Sequence, residues 1–122
     1  MNSSVVISGV GLWTPEHSIS NEELVTSYNA WAELFNLENE TAIKAEEMEA
    51  KPLSSAAFIE KASGIKSRYI YSKKGALDIQ RMRPILDARE DDQVSHQAEM
   101  AIAAAQKALS AANKTAADID MV

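Results

Sequence analysis

Phe58-Ile59-Glu60-Lys61-Ala62-Ser63-Gly64-Ile65-Lys66-Ser67-Arg68-Tyr69 is the stretch that decides how this chain is read. Ser54-Ser55 stands just ahead of it and can cap a short helix over residues 56–62, which Ser63-Gly64 then ends. Beyond the glycine, Ile65, Ser67, Tyr69 and Tyr71 alternate with Lys66, Arg68 and Ile70, the period of a strand. Helix, glycine break and strand therefore follow one another within about fifteen residues, a spacing that fits a layered domain of helices on strands. Three cations, Lys61, Lys66 and Arg68, lie in the same stretch.

Downstream, Lys73-Lys74-Gly75 reads as a turn, and residues 77–83 as a helical turn stopped by Pro84. Asp91 or Asp92 then caps the longest helix, expected over residues 93–112. Its inward residues are small (Ala98, Ala101, Ala105, Ala108 and Ala112, with Val94, Ile102 and Leu109 among them), so it should lie buried between layers. Asn113 suits a left-handed cap, Thr115-Ala116-Ala117-Asp118 a capped turn, and Ile119-Asp120-Met121-Val122 the start of a strand.

Upstream, residues 38–51 are acidic and polar, with a weak apolar face of Ala42, Ile43, Ala45 and Met48, and read as a surface helix or an insertion. Glu46-Glu47 reads as a solvated face rather than a metal site. Ser20-Asn21-Glu22-Glu23 has the form of a capping box. The helix it opens carries Leu24, Tyr28, Trp31 and Phe35 at helical spacing, flanked by Val25 and Leu34, a stripe read as core or interface before an aromatic ligand box. Residues 5–13 read as a buried strand ended by Thr14-Pro15. Gly9 and Gly11 do not open a phosphate loop, because Thr14 and Pro15 stand where a third glycine and a helix start are needed. They are expected to permit close backbone packing instead.

At 122 residues the chain fits one domain, and its 46% hydrophobic content is enough for a core. No apolar run reaches the length of a membrane span, and Met1-Asn2-Ser3-Ser4 lacks the basic and apolar regions of a signal peptide, so a cytoplasmic protein is expected. The net charge of -6 argues against nucleic acid. Residues 61–89 run the other way, with eight basic and two acidic side chains, which suits a small anionic ligand or an acidic partner. There is no cysteine, and His17, in the loop expected after the first strand, and His96, on the long helix, have no metal-ligand spacing. The residues hold no complete catalytic site and no metal site.

Four pieces in order resemble the β-ketoacyl-acyl-carrier-protein synthase III family, the thiolase-fold condensing enzymes. Ile7 to Pro15 is similar to its opening I-x-G-x-G-x-Y-x-P, and Ser20-Asn21-Glu22-Glu23-Leu24 to its T-N-x-D/E-L. Phe58 to Arg68 matches W-I-x-x-R-T-G-I-x-x-R in spacing, and the alanine-rich helix with Asp118-Ile119-Asp120 resembles its helix and strand entry. The resemblance implies the N-terminal portion of a thiolase-like α/β fold, layered α/β/α, spanning residues 1–122 and truncated at the start of a core strand. It implies an acyltransferase of fatty-acid biosynthesis that condenses acyl-CoA with malonyl-acyl-carrier protein through a cysteine, a histidine and an asparagine, none of them within this chain. It further implies a homodimer, and no cofactor beyond the acyl-CoA substrate. Residues 37–53 are longer than in acetyl-primed members and look like the subgroup that takes medium-chain primers.

Carried over residue by residue, Phe58 stands where the family has a tryptophan that stacks on the CoA adenine, Ser54 near the same adenine, and Ser63 at the threonine before Gly64. Ala62 departs from the pattern, because it replaces an arginine that meets CoA phosphate; Lys61 or Lys66 is expected to supply that charge. Two rival readings stand beside this one: a free-standing interaction domain with the Leu24–Phe35 stripe as its partner surface, and a thiolase-fold relative with other acyl condensation chemistry.

Overall fold

The computed structural model describes residues 4–122. The first three residues, from which the reading of a missing signal peptide starts, lie outside that range. The described residues form two compact units, one comprising Pro15–Leu86 and the other Asp87–Val122 together with the chain up to Thr14.

In the first unit, β1 (His17–Ser20) pairs antiparallel with β2 (Ser67–Ile70), His17 facing Ile70 and Ser20 facing Ser67. His17 is thus a strand residue, not part of a loop as expected. Strand β1 runs directly into helix α1 (Asn21–Glu38) through the expected capping box. The Glu23 amide donates to Ser20 Oγ at 3.1 Å, and the Ser20 amide donates to the Glu23 carboxylate at 3.0 Å. Both bonds satisfy amides that a helix start leaves without partners.

The asparagine of that motif does more than sequence alone suggests. Asn21 is buried; its amide donates to the Lys66 carbonyl at 3.0 Å and its side-chain nitrogen to the Ile65 carbonyl at 2.6 Å. Arg68 in turn donates to Asn21 Oδ1 at 2.9 Å. Two motifs lying more than forty residues apart in sequence are therefore partners in space, and a buried amide satisfied on both sides fixes the angle between α1 and the turn after Gly64.

The expected short helix is α3 (Ala56–Ser63), capped by Ser55, whose Oγ accepts from the Phe58 amide, and ended by left-handed Gly64 at φ 72°. The acidic stretch gives only α2 (Glu40–Lys44), after which Glu46 turns left-handed at φ 61° and breaks the helix. The segment that follows is held by α1. Asn36 receives the Lys51 amide at 2.7 Å and donates to the Lys51 carbonyl at 2.9 Å. Asn29 does the same for Ser54, at 2.9 and 3.0 Å. Each asparagine acts as one rung of an antiparallel ladder. The Leu24–Phe35 stripe is only half-buried, and its aromatic members stack in sequence, Tyr28 on Trp31 at 5.8 Å and Trp31 on Phe35 at 5.6 Å. Among the described residues the buried apolar ones are few: Ile19, Ala32 and Ala76.

In the second unit the long helix, α4, spans His96–Ala112 and is capped by Ser95, not by Asp91 or Asp92. Asp91 and Asp92 lie in a turn ahead of it. Asn113 ends the helix left-handed, as expected, and a short 3₁₀ turn, Ala116–Asp118, follows. Residues 4–15 form no strand. Val5 and Ile7 are 99% and 88% exposed, because a strand needs a hydrogen-bonded neighbour and none lies beside this segment among the described residues. The same holds for residues 119–122, which form no strand either. The segment instead runs along α4. A Cβ on Gly9 would lie 2.6 Å from the Ala108 carbonyl oxygen, and one on Gly11 2.1 Å from that of Ala104. The helix face in contact is Ala104, Ala108 and Ala112, while Ala98, Ala101 and Ala105 are exposed. The expectation of close packing at both glycines holds; the expected burial of α4 on all its small residues does not.

Candidate functional site

An apolar cleft of about 620 Å³ opens in the first unit. Helix α1 contributes Leu24, Val25 and Tyr28 to it. The asparagine-held segment adds Pro52, Leu53 and Ser54, and α3 adds Phe58 and Ile59. Met82, from the loop after β2, completes the lining.

Hydrogen bonds fix the walls formed by α1, residues 52–54 and α3. Asn29 holds the Ser54 backbone at both its polar atoms, and the Tyr28 hydroxyl donates to the Pro52 carbonyl at 3.0 Å. The Ser55 cap sets the first turn of α3 and with it Phe58. Phe58 is 65% exposed, so most of the residue is open rather than packed. The cleft therefore offers an aromatic face and one serine hydroxyl in an apolar setting, a surface suited to a flat heterocycle carrying few polar groups.

Of the five residues singled out from the sequence, the structure brings Phe58 and Ser54 together in this cleft and places Ser63, Lys61 and Lys66 outside its lining. Ser63 Oγ donates to the Ile59 carbonyl at 2.7 Å and accepts from the Ile65 amide at 3.1 Å, so it is occupied in closing the helix. Lys66 pairs with Glu60 at 3.4 Å across exposed side chains. Ala62 is exposed, and Lys61 beside it has no ion-pair partner among the described residues.

The cationic stretch divides once partners are known. Arg68 is engaged by Asn21, Lys73 by Glu23, Lys66 by Glu60 and Arg89 by Glu99. Lys61, Lys74, Arg81 and Arg83 have no such partner among the described residues. The bond from Lys73, then the Ser20 amide, holds the Glu23 carboxyl below its ordinary value, and the Thr115 amide and hydroxyl do the same for Asp118. Among the described residues no cluster of histidine and carboxylate side chains is arranged to hold a metal ion.

Sequence reasoning missed Met82 and the asparagine clamps. A methionine in a polar loop carries no periodic signal, and an asparagine on a helix shows its target only when the chain has folded back.

The resemblance seen in the motifs is carried by overall identity as well. No protein-family model matches the chain. Over 96 residues, 79% of its length, the chain is nevertheless 51% identical to an enzyme of the β-ketoacyl synthase class. That relative is the β-ketodecanoyl-acyl-carrier-protein synthase of Pseudomonas aeruginosa, and the chain spans 27% of its length. No helix among the described residues is long and apolar enough to cross a membrane.

Proposed function

We propose that this chain is part of a β-ketoacyl-acyl-carrier-protein synthase III-type enzyme of fatty-acid biosynthesis, acting as a cytoplasmic homodimer. The observation that carries the proposal is the identity to the β-ketodecanoyl synthase over 79% of the chain. A β-ketodecanoyl product is an octanoyl primer extended by the two-carbon remnant of malonyl. The reaction is then the transfer of an acyl group from CoA to a cysteine thiolate, followed by its condensation with malonyl-carrier protein. Free CoA leaves in the first step and CO2 in the second.

In this reading the chain contributes a wall of the primer entrance to a layered thiolase-type fold, and residues 37–53 are an insertion of the medium-chain subgroup. Phe58 and Ser54 receive the adenine end of the donor, because they share one apolar cleft and Phe58 is presented with its ring open. The nucleophile must come from residues outside this sequence, since the chain has no cysteine. Lys61 and Lys74, exposed cations without ion-pair partners among the described residues, suit an acidic carrier protein as second partner.

The chain is incubated with octanoyl-CoA and malonyl-carrier protein beside the full-length protein encoded by its gene. The full-length protein should release β-ketodecanoyl-carrier protein, and the 122-residue chain should give neither product nor covalent acyl adduct. Product from the chain alone, in a preparation free of host synthase, would overturn the assignment, as would a full-length protein without condensing activity.

A further inference from the structure

The loop of residues 74–85 is closed and pinned. The Ile85 amide donates to the Lys74 carbonyl at 2.7 Å across its base, beside Gly75 in the left-handed region at φ 77°. A Cβ on Gly75 would lie 2.9 Å from the Arg83 carbonyl oxygen, so the two arms are in direct contact. The loop is tied to α1 through Ser27, a buried side chain whose hydroxyl donates to the Leu77 carbonyl at 2.8 Å, and Ala76 within the loop is buried.

On this rigid support sits Met82 at φ 49°, with its amide bound to the Asp78 carbonyl at 2.7 Å. An unbranched side chain held left-handed is a strained arrangement that persists only where the surroundings impose it. Here it puts a flexible, polarisable thioether into the lining of the cleft that holds Phe58, and thioethers pack favourably on ring systems. On either side of Met82 stand Arg81 and Arg83, both exposed and without ion-pair partners among the described residues.

We infer that the 74–85 loop is a specificity element of the cleft. Met82 closes the apolar wall on a bound heterocycle, and the exposed guanidinium groups of Arg81 and Arg83 take the charge of its phosphate groups. The inference rests on the nucleotide-binding reading of the cleft. It concerns positioning and affinity, not the chemical step.

Binding is measured by calorimetry with CoA and, as a phosphate-free probe, adenosine, on the unsubstituted protein, Phe58→Ala, Met82→Gly and the pair Arg81→Gln with Arg83→Gln. Glycine accepts a left-handed φ, so Met82→Gly should melt no lower than the parent while binding both probes several-fold more weakly. The arginine pair should lose about three- to tenfold in CoA affinity at low salt, little at high salt, and nothing for adenosine. Met82→Gly with unchanged affinity for both probes overturns the role of Met82, and an arginine pair with unchanged CoA affinity overturns the charge assignment. In either case, weaker binding by Phe58→Ala leaves the reading of the cleft standing. Absence of saturable CoA binding by the unsubstituted protein overturns that reading and this inference together.

Discussion

The two units hold themselves together by opposite means. In Pro15–Leu86 the fixed points are polar. Asn21, Ser27, Asn29 and Asn36 each satisfy backbone groups far away in sequence, and only three apolar residues of the unit are buried. In the other unit the fixed points are backbone against backbone, with Gly9 and Gly11 pressed on the small face of α4 and most larger apolar side chains left open. The first arrangement leaves room between elements and therefore holds a cleft. In the second the N-terminal segment and the helix touch directly, and its open cleft of about 830 Å³ lies on another part of α4, between residues 87–94 and Glu99, Ile102, Ala103 and Gln106. The polar clamps frame the cleft of the first unit, and Leu24 and Tyr28 of the apolar stripe line it.

The largest effect should come from the glycine contact. Gly11→Ala would put a Cβ 2.1 Å from the Ala104 carbonyl oxygen, which is backbone and cannot step aside. Overpacking of this kind costs about 1–3 kcal/mol and more where the backbone must shift. Denaturant unfolding should show a loss near the top of that range for Gly11→Ala and a smaller one for Gly9→Ala. An unchanged midpoint would mean that the segment does not rest on α4 in solution.

The matching test in the other unit is Asn36→Ala, which leaves the Lys51 amide and carbonyl without their partner. Loss of such bonds costs about 1–3 kcal/mol where water cannot replace them. Lys51 and the residues after it should lose hydrogen-exchange protection, while α4 keeps its own. Equal loss in both regions would show that the units unfold together and would break the contrast.

Legibility in the sequence followed the range of the interaction. The capping box at Ser20 and Glu23, the Gly64 and Asn113 ends, and the close approach at Gly9 and Gly11 were all legible, because each depends on residue type at one position. Residues 5–13 have strand composition and form no strand, since pairing needs a second segment that composition does not name. Strand β1 escaped notice because His17-Ser18-Ile19-Ser20 is short and polar and gains its order from β2. The site was half legible. Phe58 and Ser54 line one cleft, while Lys66 pairs with Glu60 and Arg68 bonds Asn21, pairings invisible in a count of charges.

Phe58→Ala tests whether the cleft binds or merely packs. With Phe58 65% exposed, truncation should leave the melting temperature nearly unchanged. Stacking of a base on an aromatic ring is worth roughly 1–3 kcal/mol, or about a five- to hundredfold loss in CoA affinity. A lower melting temperature with unchanged affinity would make Phe58 an anchor of α3 instead.

The smallest effect belongs to Glu23, and it separates the units by pH. Its carboxyl is held below its ordinary value, first by Lys73 and then by the Ser20 amide. A depressed carboxylate contributes stability above its unfolded pKa, and that contribution is lost as pH falls through the folded value. Protection of β1 and the first turn of α1 should therefore decline on acidification through and below the ordinary glutamate range. Glu23→Gln keeps the side-chain acceptor for the Ser20 amide but removes the charge that Lys73 meets. It should flatten the acid dependence in this region and make its stability less sensitive to salt at neutral pH, because the pair is partly exposed and screened. The Thr115–Asp118 turn is depressed by hydrogen bonds from Thr115 alone. Its acid dependence should persist in the same variant, which makes it the internal reference. If the acid response of α1 survives Glu23→Gln unchanged, the Lys73 contact is not what sets that carboxylate, and the polar clamping of the cleft-bearing unit has one member fewer.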